Sequence, residues 1–538
     1  MFKKITWLFI VPIVVLALAP IPTPTPVAAV ENPDYWPTAG WRTSTPEAQG
    51  MDSAELTALV NFLADPSMYT DSLIVIRHGY IVAEAYFAPV TMEDQHHLYS
   101  ASKSFTSALI GIAIDKGYIS GVDANMLELY GNPAVENMDD LKSSMTLADV
   151  LKMSSGLQCD SLLVGPINGD GVYATEDWVQ AALNLPMQYA PGTEFHYCNP
   201  NTTLLAGLIN QTTGMSALDF ANEYLFGPLG IENAAWTADS KGVNFGASEL
   251  QLTPRDMAKF GFLYLHGGEW DGQQIVPADF VYDSTHTQMV DAFPGFDYGY
   301  QWWMLPALNM YYAIGLSGQY IWVMPDKDLI FVQTAGVTDA TRIAHQVAPM
   351  IGRFAQMTAS DEALPEDTTK QAELAAAIEA VSEPMPQSVM TILPASLTPI
   401  RDQVYNLLSP KLLEGLPLIR LAEGQPNTWY DVSALAFNFD AAAVEAVLTL
   451  TFADGTTAEI PIGLDGRYIR SENRLGVIAA QGAWLNDQTF RLYLKWVGDR
   501  IEYRMDFTFA QELLEIVRFQ IDEGVATAIL GMMAPPAQ

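Results

Sequence analysis

Apolar and polar positions alternate with both helical and strand spacing in the first two thirds of the chain. Residues 53–63 place Ala, Leu and Val on one side of a predicted helix. Residues 73–76 and 81–87 are apolar runs around an Arg-His-Gly turn, which predicts a β-hairpin. A helix that opens near Ser100 is apolar on every face, so we expect it to be buried.

Further elements follow the same mixed pattern. Thr253 and Pro254 suit an N-cap and a first helical turn, and they precede a helical pattern over residues 252–266. Residues 319–323 and 329–333 are two strand-like runs separated by a polar turn. The first two thirds of the chain therefore contain both helices and strands.

The pattern changes in the last third of the chain. Residues 358–389 are rich in Ala, Glu, Thr and Pro, which predicts a linker carrying a short helix over residues 371–381. Residues 446–452 and 457–462 alternate on either side of an Asp-Gly turn. We therefore expect residues 390–538 to form a small, mostly antiparallel β domain.

The N-terminal segment, residues 1–29, has the composition of a signal peptide or an N-terminal anchor. Two lysines precede an uncharged apolar stretch over residues 5–19, and small residues follow. The apolar stretch is shorter than the roughly 20 residues of a spanning helix, which favours cleavage. We expect an exported protein in the periplasm, the cell envelope or the medium, with membrane attachment only through this segment. Residues 30–45 are then a spacer, and residues 46–357 form the first domain.

Charge and cysteine content argue against nucleic-acid binding and against a cysteine-based metal site. Asp and Glu total 62 against 26 Lys and Arg, and the net charge of −36 argues against binding to nucleic acid. Cys159 and Cys198 are the two cysteines of the sequence, and neither has metal-ligand spacing. We expect no metal and no organic cofactor. The adjacent His96 and His97 point apart on any regular element, so they do not suggest a metal site.

The first chemical motif is Ser100-Ala101-Ser102-Lys103, at the start of the apolar helix. Positions three apart share a helix face, so the amine of Lys103 can approach the hydroxyl of Ser100. Burial at a helix N-terminus disfavours the ammonium, and a neutral amine can accept the serine proton. The pair predicts a nucleophile with its base; an N-cap serine beside a surface lysine is the structural alternative.

The second motif is Tyr197-Cys198-Asn199, which stands between a Pro-Gly turn and an apolar helix. The phenol of Tyr197 can shuttle protons, and the amide of Asn199 can hold a substrate. Tyr130-Gly131-Asn132 matches the same pattern. That sequence lacks the turn-then-helix context, so we favour Tyr197.

The third motif is Gly315-Leu316-Ser317-Gly318-Gln319, which opens a strand. Small residues before such a strand let a substrate backbone lie alongside it, and the Gln319 amide can donate to a developing oxyanion. A glycine-rich hairpin turn is the alternative.

Together these motifs resemble those of a known enzyme family. Residues 98–106 closely resemble the nucleophile helix of class C β-lactamase-like serine hydrolases, which are related to penicillin-binding proteins, esterases and nylon-oligomer hydrolases. Further segments look like successive family landmarks in the family's order: residues 151–157, 191–208, 252–267 and 298–303. The resemblance covers roughly residues 46–353. It implies an α/β (α+β) fold with an antiparallel sheet flanked by helices, a helical subdomain, and a site between them.

The resemblance implies roles for individual residues. Ser100 matches the acylated serine, Lys103 its base, and Tyr197 the residue that passes protons to the leaving group. Asn199 matches the substrate-binding asparagine, and the backbone amides of Ser100 and Gln319 match the oxyanion hole.

The sequence departs from the β-lactamase pattern at the third motif. Leu316-Ser317-Gly318 stands where Lys-Thr-Gly or His-x-Gly is usual, and a leucine cannot pair with a substrate carboxylate. In the family's fold the loops around Cys159 and Cys198 approach one another, which implies a disulfide beside the site. Two independent small core residues are the alternative.

The resulting expectation is a serine hydrolase that acts on a small ester or amide outside the cytoplasm. A D-amino-acid peptidase of the penicillin-binding type, or a catalytically silent scaffold of the same fold, is the alternative. The β domain shows no nucleophile, base or ligand cluster, so we expect it to modulate access or mediate contacts. A chain that ends near Ala359 is then expected to keep the Ser100 chemistry.

Overall fold

The computed structural model describes residues 33–159, 171–336, 340–383, 403–413, 430–439, 445–510, 512–520 and 525–534. The predicted export segment, residues 1–29, lies outside these ranges. The described residues form a domain of mixed helix and sheet, followed by a β-barrel.

The described α-helices all belong to the first domain. They are α1 Ser53–Leu63, α2 Ser102–Asp115, α3 Met126–Leu129, α4 Asp140–Ser143, α5 Leu147–Leu151, α6 Trp178–Leu183, α7 Asn199–Thr213, α8 Ala217–Ala221, α9 Gly227–Leu229, α10 Pro254–Leu265, α11 Ala278–Thr285, α12 Ala340–Gln356 and α13 Thr368–Ser382. Among the described residues, no helix is both long enough and apolar enough to cross a lipid bilayer.

The described strands divide between the two domains. Those of the first domain are β1 Arg42–Thr43, β2 Thr70–Arg77, β3 Tyr80–Tyr86, β4 His96–His97, β5 Ala235–Trp236, β6 Leu250–Leu252, β7 Glu269–Trp270, β8 Gln273–Gln274, β9 Met289–Phe293, β10 Phe296–Tyr298, β11 Trp303–Leu305, β12 Met310–Gly315, β13 Gln319–Met324 and β14 Leu329–Ala335. Those of the barrel are β15 Val404–Leu407, β16 Val432–Phe439, β17 Glu445–Phe452, β18 Thr457–Gly463, β19 Ile469–Asn473, β20 Gly476–Trp484, β21 Thr489–Trp496, β22 Glu502–Ala510, β23 Leu513–Gln520 and β24 Val525–Met533.

A nine-stranded sheet forms the centre of the first domain. Its order is β1-β3-β2-β14-β13-β12-β11-β10-β9, and each neighbouring pair is antiparallel except β1 with β3. The predicted hairpin joins β2 to β3 through His78 and Gly79, which both have positive φ, as a type I′ turn requires. Helices cover both faces of the sheet, so β2 is buried along its whole length. This arrangement confirms the predicted fold class.

Helix α2 is the buried central helix that its sequence predicts. Every residue from Ser102 to Ala113 is buried. Its apolar side chains belong to the same core as α7 and α10, and the ring of Phe105 stacks on Phe260 of α10 at 3.7 Å between centroids. The packing fixes the helix, and therefore also the turn that precedes it.

Two predicted connecting segments are parts of the first domain. In the segment predicted as a spacer, Arg42 pairs with Tyr80 in the sheet, and Trp36 and Trp41 pack on Phe262. The helix predicted within residues 358–389 is α13, whose Leu374 is buried in the core beneath the sheet. Apolar side chains within these polar segments attach them to the domain, so the predicted boundaries at residues 46 and 357 are both too narrow.

The C-terminal domain is a ten-stranded antiparallel barrel. Its strand order runs from β18 through β17, β16, β15, β24, β23, β22, β21 and β20 to β19, and a β18–β20 pairing closes it. Inward positions alternate along each strand, as in Phe490, Leu492, Leu494 and Trp496 of β21. The closing pair is parallel and joins Gly463 to Gln481, whereas the neighbouring strands in the order above are antiparallel.

The barrel packs directly against the first domain. The guanidinium of Arg470 donates to both carboxylate oxygens of Asp94, at 2.6 and 2.5 Å, and to the carbonyl of Pro89 at 2.9 Å. Lys495 of the barrel pairs with the buried Asp71 of β2. Side chains that point outward from the barrel strands therefore reach carboxylates at the margin of the first domain.

Candidate active site

Ser100 lies in a 3-10 turn, Tyr99–Ala101, that leads directly into α2. It is partly exposed, whereas Ser102 is buried. The backbone before it is held by β6, because the amide of Leu98 donates to the Leu250 carbonyl at 2.8 Å. Gly315, at the end of β12, packs so tightly that an added Cβ would lie 2.1 Å from the Leu98 oxygen. The turn is thus clamped between two strands with its serine facing solvent.

Lys103 combines contact with Ser100 and complete burial. Its Nζ lies 3.0 Å from Ser100 Oγ and 2.8 Å from the Ala247 carbonyl oxygen, and the residue is 1% exposed. Burial lowers the pKa of Lys103 well below its usual value, and no carboxylate among the described residues opposes that shift. The side chain is therefore suited to be a neutral amine that accepts a proton from the serine.

Tyr197 lies beside this pair. The centre of its ring is 4.9 Å from Lys103 Nζ. Burial raises the pKa of the Tyr197 phenol, and a hydrogen bond with Ser100 acts in the opposite direction. The hydroxyl therefore stays protonated and is able to donate at neutral pH. The structure brings Ser100, Lys103 and Tyr197 together.

An aromatic wall, formed by Phe195, Tyr197, Tyr298 and Trp303, flanks the three residues. The ring of Trp303 stacks on Tyr197 with centroids 5.9 Å apart, and Tyr298 meets Trp303 edge to face at 4.9 Å. Phe195 contacts both Tyr298 and Trp303. Sequence reasoning missed Phe195, although its position two residues before Tyr197 in an extended loop was an available signal. The wall gives the site an apolar side.

Asn199 is the first residue of α7, and its side-chain oxygen is buried. Among the described residues Oδ1 has no hydrogen-bond partner, so it can accept a donor from a substrate. A disulfide between Cys159 and Cys198, with Cα atoms 5.6 Å apart, ties down the residue before it. The ring of His196 also contacts the Cys159 carbonyl at 2.9 Å. The start of α7 is thus fixed from two sides.

The competing tyrosine has a structural role. The hydroxyl of Tyr130 donates to the Leu204 carbonyl of α7 at 2.5 Å, and the residue is buried. Its hydrogen bond therefore stabilises the packing beneath α7. The contact with Lys103 belongs to Tyr197.

The third motif forms the turn between β12 and β13. Ser317 and Gly318 both have positive φ, +71° and +98°, and Leu316 is half-buried. The side-chain Nε2 of Gln319 donates to the Ala335 carbonyl at 2.6 Å, so only one of its two N–H groups is left to serve as an oxyanion donor. The backbone amide of Gln319, which stands opposite Gly315 in the ladder, remains a prediction for that role.

The two adjacent histidines point apart, as expected. His97 Nδ1 lies 3.0 Å from Glu249 Oε2, whereas His96 Nδ1 lies 3.8 Å from Asp71 Oδ2. The described parts of the chain contain no cluster of three His, Cys, Asp or Glu side chains with metal-binding geometry.

The barrel, for which the sequence predicted a role in access or contacts, also reaches the site. The hydroxyl of Tyr99, the residue before Ser100, donates to Asp499 Oδ1 at 3.0 Å. The two residues are 400 positions apart, so no local pattern could have connected them.

Comparisons with known proteins identify the family of the first domain. The β-lactamase family profile matches residues 57–339, more than half of the chain. A 6-aminohexanoate-dimer hydrolase from Paenarthrobacter ureafaciens is 28% identical over 328 residues, which cover 56% of this chain and 83% of that protein. A D-aminopeptidase from Brucella anthropi is 29% identical over 175 residues, 32% of each chain.

The similarity to a solved structure supports the fold and no other property. A proposed 6-aminohexanoate-dimer hydrolase from Bacillus anthracis superposes with a TM-score of 0.51 at 22% identity. The match covers 60% of this chain and 88% of the other.

Proposed function

Because this chain belongs to the β-lactamase family and is a serine hydrolase, we propose that it cleaves small neutral esters or amides through an acyl-enzyme on Ser100. The observation that carries the proposal is the buried amine of Lys103, 3.0 Å from Ser100 Oγ, without a carboxylate to keep it charged. Tyr197 completes the site as the residue that passes protons.

Acylation begins when Ser100 Oγ attacks the substrate carbonyl carbon while Lys103 Nζ takes the hydroxyl proton. The new ammonium is stabilised by the carbonyl of Ala247 and by the ring face of Tyr197. The negative charge on the carbonyl oxygen is held by the backbone amides of Ser100 and Gln319. Each of these groups interacts more strongly with the transition state than with the resting serine.

The leaving group then departs with a proton that passes from Lys103 through the Tyr197 hydroxyl. This transfer breaks the bond between the carbonyl carbon and the leaving oxygen or nitrogen, and it leaves an ester on Ser100. A water molecule attacks that ester and gives a proton to the same pair. The bond between the acyl carbon and Ser100 Oγ then breaks, Oγ takes that proton back, and the acid is released. The raised pKa of Tyr197 suits this relay, because the phenol keeps a proton to donate.

The walls of the site favour neutral, apolar substrates. Leu316 lies in the turn after Gly315, whose backbone packs against that of Leu98, and the aromatic wall lies beside Lys103 through the ring of Tyr197. A carboxylate placed against Leu316 loses hydration without gaining a partner, at a cost of several kcal/mol. The chain's charge of −36 acts weakly in the same direction on anionic substrates. We therefore place neutral esters and amides ahead of penicillins.

We also propose that the enzyme works outside the cytoplasm. The basic, then apolar, then small-residue order of residues 1–29 suits an export signal. The disulfide Cys159–Cys198 suits an oxidising compartment. Mass spectrometry of the protein from the native cell fractions tests both points, because an uncleaved cytoplasmic chain with two free thiols contradicts the proposal.

Labelling with a fluorophosphonate probe tests the mechanism. The wild type should take up one probe per chain at Ser100 and hydrolyse short-chain p-nitrophenyl esters, and Ser100→Ala should do neither. The panel includes a 6-aminohexanoate amide and a D-amino-acid p-nitroanilide, because the relatives' names point to amides. A folded wild type that neither labels nor turns over any substrate is a scaffold, and the proposal fails.

Nitrocefin provides the test of substrate charge, since it carries a carboxylate beside its reactive amide. We expect its kcat/KM to fall well below that of p-nitrophenyl butyrate. Hydrolysis of nitrocefin as fast as that of the ester would contradict the proposed preference while leaving the acyl-enzyme mechanism intact.

A further inference from the structure

We propose that Asp499 of the barrel is a positioning residue for the nucleophile, and that it acts through Tyr99. The inference rests on the proposed role of Ser100. It makes the barrel part of the catalytic apparatus, although the barrel contributes no reacting group.

The backbone immediately before the nucleophile is strained. Tyr99 has φ +46°, a left-handed conformation that large side chains rarely adopt. Such residues persist only where surrounding contacts fix them, and they concentrate at functional sites. Tyr99 is buried, and its hydroxyl hydrogen bond goes to Asp499. The strain sets the direction in which Ser100 projects, and the bond to the barrel holds the strained residue.

The barrel turn that carries Asp499 packs closely against the backbone of the first domain. Gly498 has φ +78°, and an added Cβ would lie 2.0 Å from the Gln95 carbonyl oxygen. Its own carbonyl accepts from the amide of His97 at 3.0 Å. Asp499 Oδ1 accepts from Tyr99 and also from the backbone amide of Arg500 at 2.6 Å. The acceptor oxygen is therefore oriented before Tyr99 binds to it.

The same carboxylate also borders the lysine side of the site. His97 lies between Asp499 and Glu249, with Nε2 4.0 Å from one carboxylate and Nδ1 3.0 Å from the other. Glu249 belongs to the segment whose Ala247 carbonyl accepts from Lys103. The barrel turn of Gly498 and Asp499 thus contacts the β4–β6 pair beside Ser100. Through His97 it also neighbours the loop whose Ala247 carbonyl binds Lys103.

Three substitutions distinguish the effect of the Tyr99–Asp499 hydrogen bond from the effect of the charge of Asp499 and from a general loss of stability. Asp499→Leu removes the acceptor, Tyr99→Phe removes the donor, and Asp499→Asn keeps an oxygen that can accept. Arg491→Gln is the matched control, because its bonds go to Asp506 on the neighbouring barrel strand. Each full-length variant is measured for Ser100 labelling rate, ester kcat and KM, and Tm.

We expect Asp499→Leu and Tyr99→Phe each to lower the labelling rate and kcat by about tenfold to a hundredfold, because small misplacements of a nucleophile are costly. KM should change little, because the groups that bind the substrate remain. Asp499→Asn should keep most of the rate, and the double variant should be no slower than the slower single one. Arg491→Gln should match the wild type.

The outcomes distinguish this inference from the proposed function. If the wild type labels at Ser100 and folded Tyr99→Phe labels equally fast, the positioning role is wrong and the mechanism stands. If the wild type does not label, the proposed function itself fails. Should Asp499→Leu not fold, Tyr99→Phe decides, since it loses a single oxygen. A rate for Asp499→Asn as low as that of Asp499→Leu contradicts positioning by an acceptor.

Discussion

Lys103 of the first domain and Lys495 of the barrel are both largely out of solvent, and the two lysines have opposite properties. Lys103 of the first domain contacts the Ser100 hydroxyl and a backbone carbonyl, and burial lowers its pKa. Lys495 of the barrel is also penalised by burial, but Asp71, together with Glu502, outweighs the penalty and raises its pKa. Burial alone therefore does not decide the charge of a lysine. The neighbouring carboxylate of Asp71 keeps Lys495 charged, so that lysine is a structural cation. Lys103 has no such neighbour among the described residues and is therefore available as a base.

The largest expected effect comes from removing the base. Lys103→Met should lower kcat/KM for the ester by about 10²–10⁴-fold, the range typical of a lost general base. Steady-state kinetics at neutral pH measures it. Lys142→Met is the matched control, because Lys142 is also buried, binds the carbonyls of Glu136 and Leu183, and has a pKa lowered by burial. Equal losses in both variants would mean that Lys103 acts through stability.

Removing the charge of Lys495 should lower the free energy of unfolding rather than the catalytic rate. Lys495→Met leaves the buried carboxylate of Asp71 with His96 as a weak neighbour at 3.8 Å, which costs about 3 kcal/mol. Urea unfolding at pH 7 measures the loss. Arg491→Met removes a more exposed pair and should cost below about 1 kcal/mol. Equal midpoints for the two variants would contradict the comparison.

The sign of the pH dependence follows from the pKa of Lys495, which is raised above its unfolded value. The pair's contribution is fully present below the unfolded value and is lost only as the pH rises through the folded value. The stability difference between the wild type and Lys495→Met should therefore shrink only at strongly alkaline pH.

The pH profile of catalysis sharpens the contrast. Because the pKa of Lys103 is lowered, kcat/KM should rise about tenfold per pH unit below that pKa. It should reach a plateau at a pH well below 10.5, the usual pKa of a lysine. The phenol of Tyr197, whose pKa is raised, should not cause a decline until above its usual 10. A kcat/KM profile with a viscosity control records both limbs. Activity that starts to rise only near pH 10.5 would contradict Lys103 as the base.

The smallest expected effect is on specificity. Leu316→Lys places a cation beside the site and should raise nitrocefin acylation by about tenfold, because an ion pair near a protein surface is worth a few kcal/mol before desolvation. The ester rate should change less. Leu316→Gln, which is polar but uncharged, is the control. If both variants accept nitrocefin equally well, polarity rather than charge limits the wild type.

Elements with strong periodicity were predictable from the sequence. Helix α1 spans Ser53–Leu63 as predicted, and α10 begins behind the Thr253 cap, whose side chain accepts from Asp256. Predicted strands such as residues 446–452 lie within β17. Boundaries were less predictable, since the segment before residue 46 is polar in composition but carries tryptophans that pack on Phe262.

The sequence by itself identified the candidate nucleophile and base, because Ser100 and Lys103 are three positions apart and local backbone geometry suffices to bring them together. Its motifs implied the fold of the first domain through their family resemblance, and its alternating positions predicted a mostly antiparallel β domain at the end of the chain, which the structure shows to be a barrel. Only the tertiary structure decided that Lys103 lacks a carboxylate while Lys495 has one, and that Asp499 holds Tyr99. Those properties depend on solvent exclusion and on neighbours hundreds of residues away, which no local spacing records.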